Sequence, residues 1–212
     1  MSRITCKTCR RLGESVCGRE KCAYKKRPYT PGKLDSEKKR RSALSEYGEQ
    51  LRAKQKMRIT YGLIERQFAT YVKGATLVQK AVKGKDAVKE TISPSLKLYR
   101  LLEGRLDNIV YRSGIANTRA LARQLVNHGH VTVNGRKLSI PSHQTKVGDV
   151  ISIREGSKVA KVFVGLEEKL TALAPSSVVS VNPSKLEAKI TGLPREVEPA
   201  FDTQKVLEYY SR

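Results

Sequence analysis

The sequence predicts an α+β fold, in which a mainly helical domain carries an amino-terminal cysteine knuckle and an inserted small α/β module of two helices and a small antiparallel sheet. Apolar residues recur at helical spacing from residue 42 to residue 71. Between residues 105 and 155 the apolar period changes from that of a helix to that of a strand. All four cysteines lie between residues 6 and 22, in a segment too short and too polar to bury a core.

Changes in composition divide the chain into segments. We expect a cysteine knuckle with a basic extension over residues 1–45, a helical domain over 46–103, the inserted module over 104–155, and a carboxy-terminal segment over 156–212 that completes the helical domain. The extension contains Pro28, Pro31 and a run of four basic residues from Lys38 to Arg41, which is typical of an extended linker. Gly62 is expected to divide the helical domain into two helices.

The first half of the module predicts two short helices. Three apolar residues of the first helix are spaced as one face, and Gly114 is suited to end that helix. The second helix is expected to begin at a cap, Asn117 or Thr118, and to end at Gly129, where a positive φ costs little. The apolar residues of the two helices are Leu106, Ile109, Val110, Leu121, Ala122, Leu125 and Val126.

The second half of the module predicts the sheet. Val131 and Val133 alternate with polar residues, and Asn134-Gly135 is the strongest short signal for a hairpin. The branched residues of the segment 150–153 suit a further strand.

The charge of the chain predicts a polyanion as its partner. The sequence has 42 basic and 20 acidic residues, a net charge of +22 and a pI near 10.1. Residues 1–58 hold 18 basic and 6 acidic residues, whereas residues 156–212 hold 8 and 7. The alternative is that these charges form only a solvated basic surface.

The sequence contains neither a run of about 18 apolar residues, as a membrane span requires, nor the apolar core of a signal peptide. We therefore expect a cytoplasmic protein with reduced cysteines and no membrane partner.

The four cysteines predict a metal site. Cys6-x2-Cys9 is followed after seven residues by Cys17-x4-Cys22, and four thiolates within such a span can enclose a tetrahedral zinc ion. Neighbouring basic residues favour the thiolates that a metal needs. An iron–sulfur cluster, or free or disulfide-bonded thiols, remain as alternatives, because the spacing alone is not diagnostic.

Two stretches of the inserted segment resemble the small RNA-binding module named after bacterial small-subunit ribosomal protein S-four. They are Thr118-Arg119-x-x-Ala122-x-x-Leu125-Val126-x-x-Gly129-x-Val131-x-Val133-Asn134-Gly135 and Val147-Gly148-Asp149-x-Ile151. Because this module also occurs in synthetases, pseudouridine synthases and heat-shock factors, the flanking segments must decide the function.

Three passages flank the module: the cysteine knuckle with Lys26-Arg-Pro-Tyr-x-Pro-Gly32, Lys56-Met-Arg-Ile-Thr-Tyr-Gly-Leu-Ile-Glu-Arg-Gln-Phe68 and Phe201-Asp-Thr-Gln-Lys-Val-Leu-Glu-Tyr-Tyr-Ser-Arg212. In this order they resemble the family of bacterial-type small-subunit ribosomal protein S-four. The resemblance implies a structural constituent of the small (30S) ribosomal subunit that binds the five-prime domain of 16S rRNA early, nucleates assembly of the subunit body and contributes to translational accuracy. It also implies ribosomal protein S-five and mRNA, near where mRNA enters the ribosome, as neighbours. The knuckle differs from that of many relatives in the length of the loop between its cysteine pairs. Only seven residues separate Cys9 from Cys17, where the resemblance implies a longer basic loop.

Charge and resemblance together predict three basic RNA-contacting surfaces, on the knuckle and linker, on a helix of the helical domain, and on the module. In the module, Arg119 and Arg123 lie i, i+4 apart and are expected on the outer face of their helix, close to the spacing of successive phosphates. The predicted contacts are Arg10, Arg11, Lys25, Lys26, Arg27, Lys38, Lys39, Arg40, Arg41, Arg52, Lys54, Lys56, Arg58, Arg66, Arg105, Arg119, Arg123, His128, His130, Asn134 and Arg136.

Two other functions are each compatible with one part of the sequence. An RNA-modifying enzyme could carry the module as a guide, but no nucleophilic triad, metalloprotease motif, nucleotide loop or paired acidic motif stands out, so we expect no enzyme and no small-molecule substrate. A zinc-dependent DNA-binding regulator is compatible with the cysteine knuckle, but no helix for reading duplex DNA is evident.

Overall fold

A computed structural model describes residues 5–32, 44–81, 92–171 and 178–211. Over these residues the fold is α+β, and the chain divides into two compact units. We call Met1–Leu98 with Val197–Arg212 the helical unit, and Tyr99–Glu196 the sheet unit. Within the described ranges, no helix combines the length and the hydropathy that a bilayer crossing requires.

The described elements of the helical unit are all α-helices. Its elements are α1 (Cys6–Leu12), α2 (Ala23–Lys26), α3 (Glu46–Thr60), α4 (Glu65–Ala81), the first half of α5 (Pro94–Glu103) and α9 (Thr203–Ser211). Ser45 caps α3, because its hydroxyl accepts a hydrogen bond from the Gly48 backbone N–H at 3.2 Å. Gly62 separates α3 from α4 with a φ of +61°, which confirms the predicted division.

The core of the helical unit forms where α9 packs on α3 and α4. The ring of Phe201 lies 5.6 Å from that of Tyr61, and the ring of Tyr210 lies 6.1 Å from that of Phe68. Phe68 is fully buried. The Tyr210 hydroxyl donates to Glu65 at 2.6 Å, so the carboxy-terminal helix is held by both apolar and polar contacts.

In its described residues, the sheet unit contains short helices and five short strands. They are α6 (Leu106–Arg112), α7 (Arg119–Asn127), α8 (Leu166–Thr171), β1 (Val131–Val133), β2 (Arg136–Lys137), β3 (Val150–Ile153), β4 (Val179–Asn182) and β5 (Glu187–Ile190). Thr118 caps α7 by accepting from the Leu121 backbone N–H at 3.2 Å. The two predicted helices and the predicted hairpin are therefore present, with Asn134 and Gly135 at φ values of +50° and +78°.

The sheet extends beyond the predicted module. Its five strands are antiparallel in the order β2-β1-β3-β5-β4, so β5 pairs with β3 and bridges it to β4. The structure thus assigns residues up to Glu196 to the sheet unit, whereas the sequence interpretation placed all of 156–212 with the helical domain. The physical reason is that Ala188 and Ile190 of β5 are buried in the same core as Ile151 of β3.

Gly129 ends α7 in a conformation that other residues rarely adopt. Its φ is +72°, and a Cβ at this position would overlap Lys137 Cε. We expect Gly129→Ala to lower the free energy of unfolding of the sheet unit by about 1–2 kcal/mol, the cost of a left-handed non-glycine residue. Urea unfolding measures the effect. Gly156→Ala is the control, because a Cβ there meets nothing within 4 Å; equal midpoints for the two variants would contradict this prediction.

Asp149 connects the turn before β3 to the β1–β2 hairpin. Its carboxylate accepts the Lys146 backbone N–H at 2.8 Å and the Asn134 amide at 2.9 Å, and these bonds lower the pKa of Asp149. A lowered pKa in the folded state stabilises the protein above the pKa of the unfolded state, about 3.9. That stabilisation is lost as the pH falls through the folded pKa. We expect the stability advantage of the wild type over Asp149→Asn to shrink between pH 5 and pH 3. Urea midpoints of both proteins across this range test it, and a gap independent of pH would contradict it.

Candidate nucleic-acid interface and cysteine cluster

The structure brings the four cysteines together in one cluster. The Sγ atoms of Cys6, Cys17 and Cys22 all lie within 4.8 Å of one another. Cys9 is fully buried beside them and shares hydrogen bonds with Cys17 and Cys22. A short helix, α1, carries Cys6 and Cys9, and its end at Gly13 (φ +72°) returns the chain so that Cys17 and Cys22 face them. The arrangement suits a soft cation with four sulfur ligands.

The pKa values of Cys9 and Cys22 are shifted in opposite directions. Burial raises the pKa of the Cys9 thiol to about 12, and contact with Cys17 adds to the effect. Burial also acts to raise the pKa of Cys22, but hydrogen bonds from the Ser15 hydroxyl and the Tyr24 backbone outweigh it and lower the value to about 7. Of these two thiols, Cys22 therefore loses its proton more readily than Cys9.

The cysteine cluster packs against α3. Ile59 contacts its apolar side, and Glu14 forms a salt bridge with Lys56. The guanidinium of Arg52 lies against Gly13, at the turn that follows α1. Because Arg52 and Lys56 are one helical turn apart, the basic face of α3 adjoins the knuckle.

The helical unit exposes many cations. The predicted contacts that are exposed there are Arg11, Lys25, Lys26, Arg27, Arg52 and Arg66. Lys56 and Arg58 are partly buried and pair with Glu14 and Glu65, respectively. These side chains give the helical unit a surface that attracts phosphates.

Arg10 and Lys54 have structural partners. Arg10 donates to the carbonyl oxygens of Tyr29 and Thr30 at 2.8 and 3.3 Å and stacks on the Tyr29 ring at 4.6 Å. Lys54 was predicted to contact RNA, but its side chain is only 5% exposed, pairs with Glu65 at 2.9 Å and lies 4.3 Å from the centre of the Tyr209 ring. Its burial under α9 removes it from the surface, and the prediction for Lys54 is corrected accordingly.

A similar correction applies to Arg105 in the sheet unit. Its guanidinium makes two hydrogen bonds to Asp107, at 3.0 and 2.8 Å, and both side chains are less than 10% exposed. Arg105 therefore supports α6 from inside, and a direct contact with RNA is not available to it.

Arg119 and Arg123 reach the surface but are also held by acidic and polar groups. Arg123 pairs with Asp107 at 2.8 Å, and Arg119 donates to Asn108 at 2.7 Å and stacks on the Tyr111 ring at 4.4 Å. The side chain of Arg119 is 18% exposed and that of Arg123 is 19% exposed. They lie at the edge between α6 and α7 rather than on the outer face that the helical spacing suggested.

The remaining predicted contacts of the module lie near the β1–β2 hairpin. His128, Asn134 and Arg136 are exposed, whereas His130 is half-buried and its Nδ1 lies 2.9 Å from the Ser157 hydroxyl. Asn134 also accepts the Val150 backbone N–H at 2.9 Å, so its side chain stabilises the turn.

Comparison with known proteins covers both units. Residues 2–94 match the family described as ribosomal protein S4/S9 N-terminal domain, and residues 104–151 match the S4 domain. The chain is 46% identical over 218 residues to small ribosomal subunit protein uS4 of Lactiplantibacillus plantarum, with all of both chains covered. It is 39% identical over 215 residues to the uS4 protein of Halothermothrix orenii, covering 98% of this chain and 96% of that one.

The chain belongs to the uS4 family of small ribosomal subunit proteins. The uS4 protein of Solidesulfovibrio magneticus, at 38% identity over the full length of both chains, is a further relative. The family suggested by the sequence motifs is thereby confirmed, and the match covers the knuckle, the helices and the sheet unit together.

Sequence reasoning missed several exposed cations of the sheet unit. They are Lys137, Lys146, Arg154, Lys158 and Lys189. The strand period could have identified Lys189, which lies between the buried Ala188 and Ile190, and Lys137, which precedes the half-buried Leu138. The four predicted contacts from Lys38 to Arg41 lie outside the described residues.

Proposed function

We propose that this chain is a primary rRNA-binding constituent of the small ribosomal subunit, located in the cytoplasm within that subunit. The observation that carries the proposal is the match to uS4 proteins along the whole chain, which includes 100% of both chains for the proteins of Lactiplantibacillus plantarum and Solidesulfovibrio magneticus. The net charge of +22 supports it, because a protein embedded in folded rRNA must neutralise many phosphates. We propose further that it binds the five-prime domain of 16S rRNA, nucleates the subunit body, contributes to accuracy, and neighbours ribosomal protein S-five and mRNA.

The distribution of cations supports contact through both units. The helical unit offers exposed arginines and lysines on the knuckle and α3, and the sheet unit offers Arg119, Arg123 and Arg136. A-form RNA hides its bases in a narrow major groove, so such side chains recognise the arrangement of the backbone. We propose that the knuckle with its basic extension (1–45), the helical domain and the module (104–155) each hold a different rRNA helix. The function is structural and involves no catalysis.

A binding assay tests the proposed function. The metal-loaded protein is titrated with salt against the folded five-prime domain of small-subunit rRNA, with scrambled RNA and duplex DNA as competitors. We expect folded rRNA to be preferred at least tenfold at every salt concentration, because shape-specific contacts add to the generic phosphate attraction. Equal binding to all three nucleic acids would overturn the proposal.

We propose zinc as the cofactor of the cysteine cluster, with an iron–sulfur cluster as the alternative. Cys6, Cys9, Cys17 and Cys22 would hold the ion, and its positive charge would stabilise all four thiolates. The close approach of the sulfurs and the absence of histidine from the cluster fit a structural site. The ion would fold the knuckle and fix its basic residues beside α3.

The zinc proposal predicts the behaviour of Cys17→Ser. We expect about one zinc per chain in the wild type and none in the variant, because three sulfurs and a hydroxyl form a much weaker site. Metal analysis after dialysis measures this. Thr8→Ser, in α1 next to Cys9, is the control and should retain the metal. Iron with sulfide in the wild type would favour the alternative, and loss of sheet-unit structure in the variant would contradict a separate site.

A further inference from the structure

Two carboxylates, Asp107 and Glu103, bind four arginines of the sheet unit. Asp107 accepts Arg105 at 3.0 and 2.8 Å and Arg123 at 3.0 and 2.8 Å. Glu103 accepts Arg112 at 2.9 and 3.2 Å. Both carboxylates are less than 10% exposed, so they are costly to bury and are stabilised by these partners. With Arg119 added, four guanidinium groups and two carboxylates carry a net charge of +2.

Arg119 is held from three directions. Its Nε donates to Asn108 Oδ1 at 2.7 Å, its guanidinium lies 4.4 Å from the centre of the Tyr111 ring, and its Nη2 is 3.7 Å from Glu103. Asn108 in turn donates to Glu103 at 3.0 Å, so the amide connects the carboxylate to the arginine. The orientation of the Arg119 guanidinium is thus fixed in the absence of any ligand.

Fixed guanidinium groups at the surface are suited to binding phosphate. An arginine side chain normally loses rotamer freedom when it binds, and this loss weakens binding. Arg119 and Arg123 have already lost that freedom, while about a fifth of each side chain is exposed. A rigid pair of guanidinium groups also selects among phosphate arrangements, which a flexible lysine does not.

We propose that Asp107, Asn108 and Tyr111 are positioning residues, which orient Arg119 and Arg123 so that the pair recognises a particular spacing of backbone phosphates in folded rRNA. The inference rests on the proposed function and deepens it. The three residues need not touch RNA themselves. By fixing the two guanidinium groups, they make the contact of Arg119 and Arg123 with RNA selective for the shape of the backbone.

The effect of removing the Asp107 charge on RNA affinity distinguishes the positioning role from general electrostatic attraction. Asp107→Asn removes a negative charge, so electrostatics alone predicts tighter binding to every RNA. Positioning predicts that the affinity for the folded five-prime domain falls about 5- to 20-fold while the affinity for scrambled RNA stays equal or rises. Glu168→Gln, an exposed change in α8, makes the same charge difference without touching the arginines. It should leave both affinities equal or slightly higher.

A second pair of variants leaves the charge unchanged. Tyr111→Leu removes the ring under Arg119 and should weaken binding to folded rRNA several-fold with no effect on scrambled RNA. Tyr111→Phe keeps the ring and should restore the wild-type affinity. Urea midpoints confirm that each protein is folded in the assay. If Asp107→Asn is unfolded, the comparison of Tyr111→Leu with Tyr111→Phe, which leaves the charge unchanged, tests the positioning role.

The outcomes distinguish the two levels of the proposal. A wild type that does not prefer folded rRNA refutes the proposed function itself. If the wild type prefers folded rRNA, two results overturn the positioning role alone. The first is an Asp107→Asn variant that binds both RNAs more tightly. The second is a Tyr111→Leu variant whose affinity for folded rRNA equals that of Tyr111→Phe. Weaker binding to folded rRNA only, in Asp107→Asn and Tyr111→Leu, supports it.

Discussion

Replacing Lys25, Lys26 and Arg27 by alanine is expected to weaken binding to the folded five-prime domain on the order of 100-fold at 0.15 M salt. All three side chains are exposed, next to the cysteine knuckle. Each phosphate contact contributes about one unit to the slope of log affinity against log salt, so the slope should fall by about three. Filter binding or fluorescence anisotropy over a series of salt concentrations measures both quantities.

The control for this variant makes the same change in net charge elsewhere. Lys169, Lys185 and Arg195 are exposed in a region of nearly balanced charge, and replacing all three by alanine should change the slope by less than one. If the two triple variants lose the same affinity, the knuckle is not a local contact and only the total charge matters.

Phe68→Ala is expected to produce the largest loss of stability in the helical unit. Phe68 is fully buried and packs against Tyr210 of the carboxy-terminal helix. Removing a buried phenylalanine ring typically costs about 3–5 kcal/mol, a large part of the stability of a domain. Hydrogen exchange of α3 and α4 measures the loss within this unit. Ile64→Ala is the control, because Ile64 is 47% exposed and should cost less than about 1 kcal/mol. Equal losses would contradict the assignment of Phe68 to the core.

The local signals in the sequence predicted much of the fold. Helical spacing, the cap at Thr118 and the Asn134-Gly135 turn predicted α6, α7 and the hairpin, because these features are determined by residues close together in the chain. Strand β5 was missed. It has four residues, two of them charged, and it forms only because β3 presents a partner edge 37 residues earlier in the chain. Such pairing is not visible in a local pattern.

The site was predicted less completely than the fold. The sequence placed the four cysteines in one cluster, since their spacing is short, and the structure brings their sulfurs together. It could not show that Lys54 and Arg105 are buried, because their partners Glu65 and Asp107 become relevant only once the helices pack. In α3 the buried positions include the polar residues Gln50 and Lys54, whereas the aromatic Tyr47 is 48% exposed. Polar residues buried against α9 therefore obscured the amphipathic pattern.

The central claim is that the protein recognises the shape of folded small-subunit rRNA. Chemical probing of the folded five-prime domain, with and without the protein, tests it most directly at a salt concentration that abolishes binding to scrambled RNA. We expect protection of the backbone at a few separate rRNA helices. Replacing Lys25, Lys26 and Arg27 by alanine should remove one set of protections, and Arg119→Ala with Arg123→Ala should remove a different set. Weak protection spread evenly along the RNA would contradict the claim.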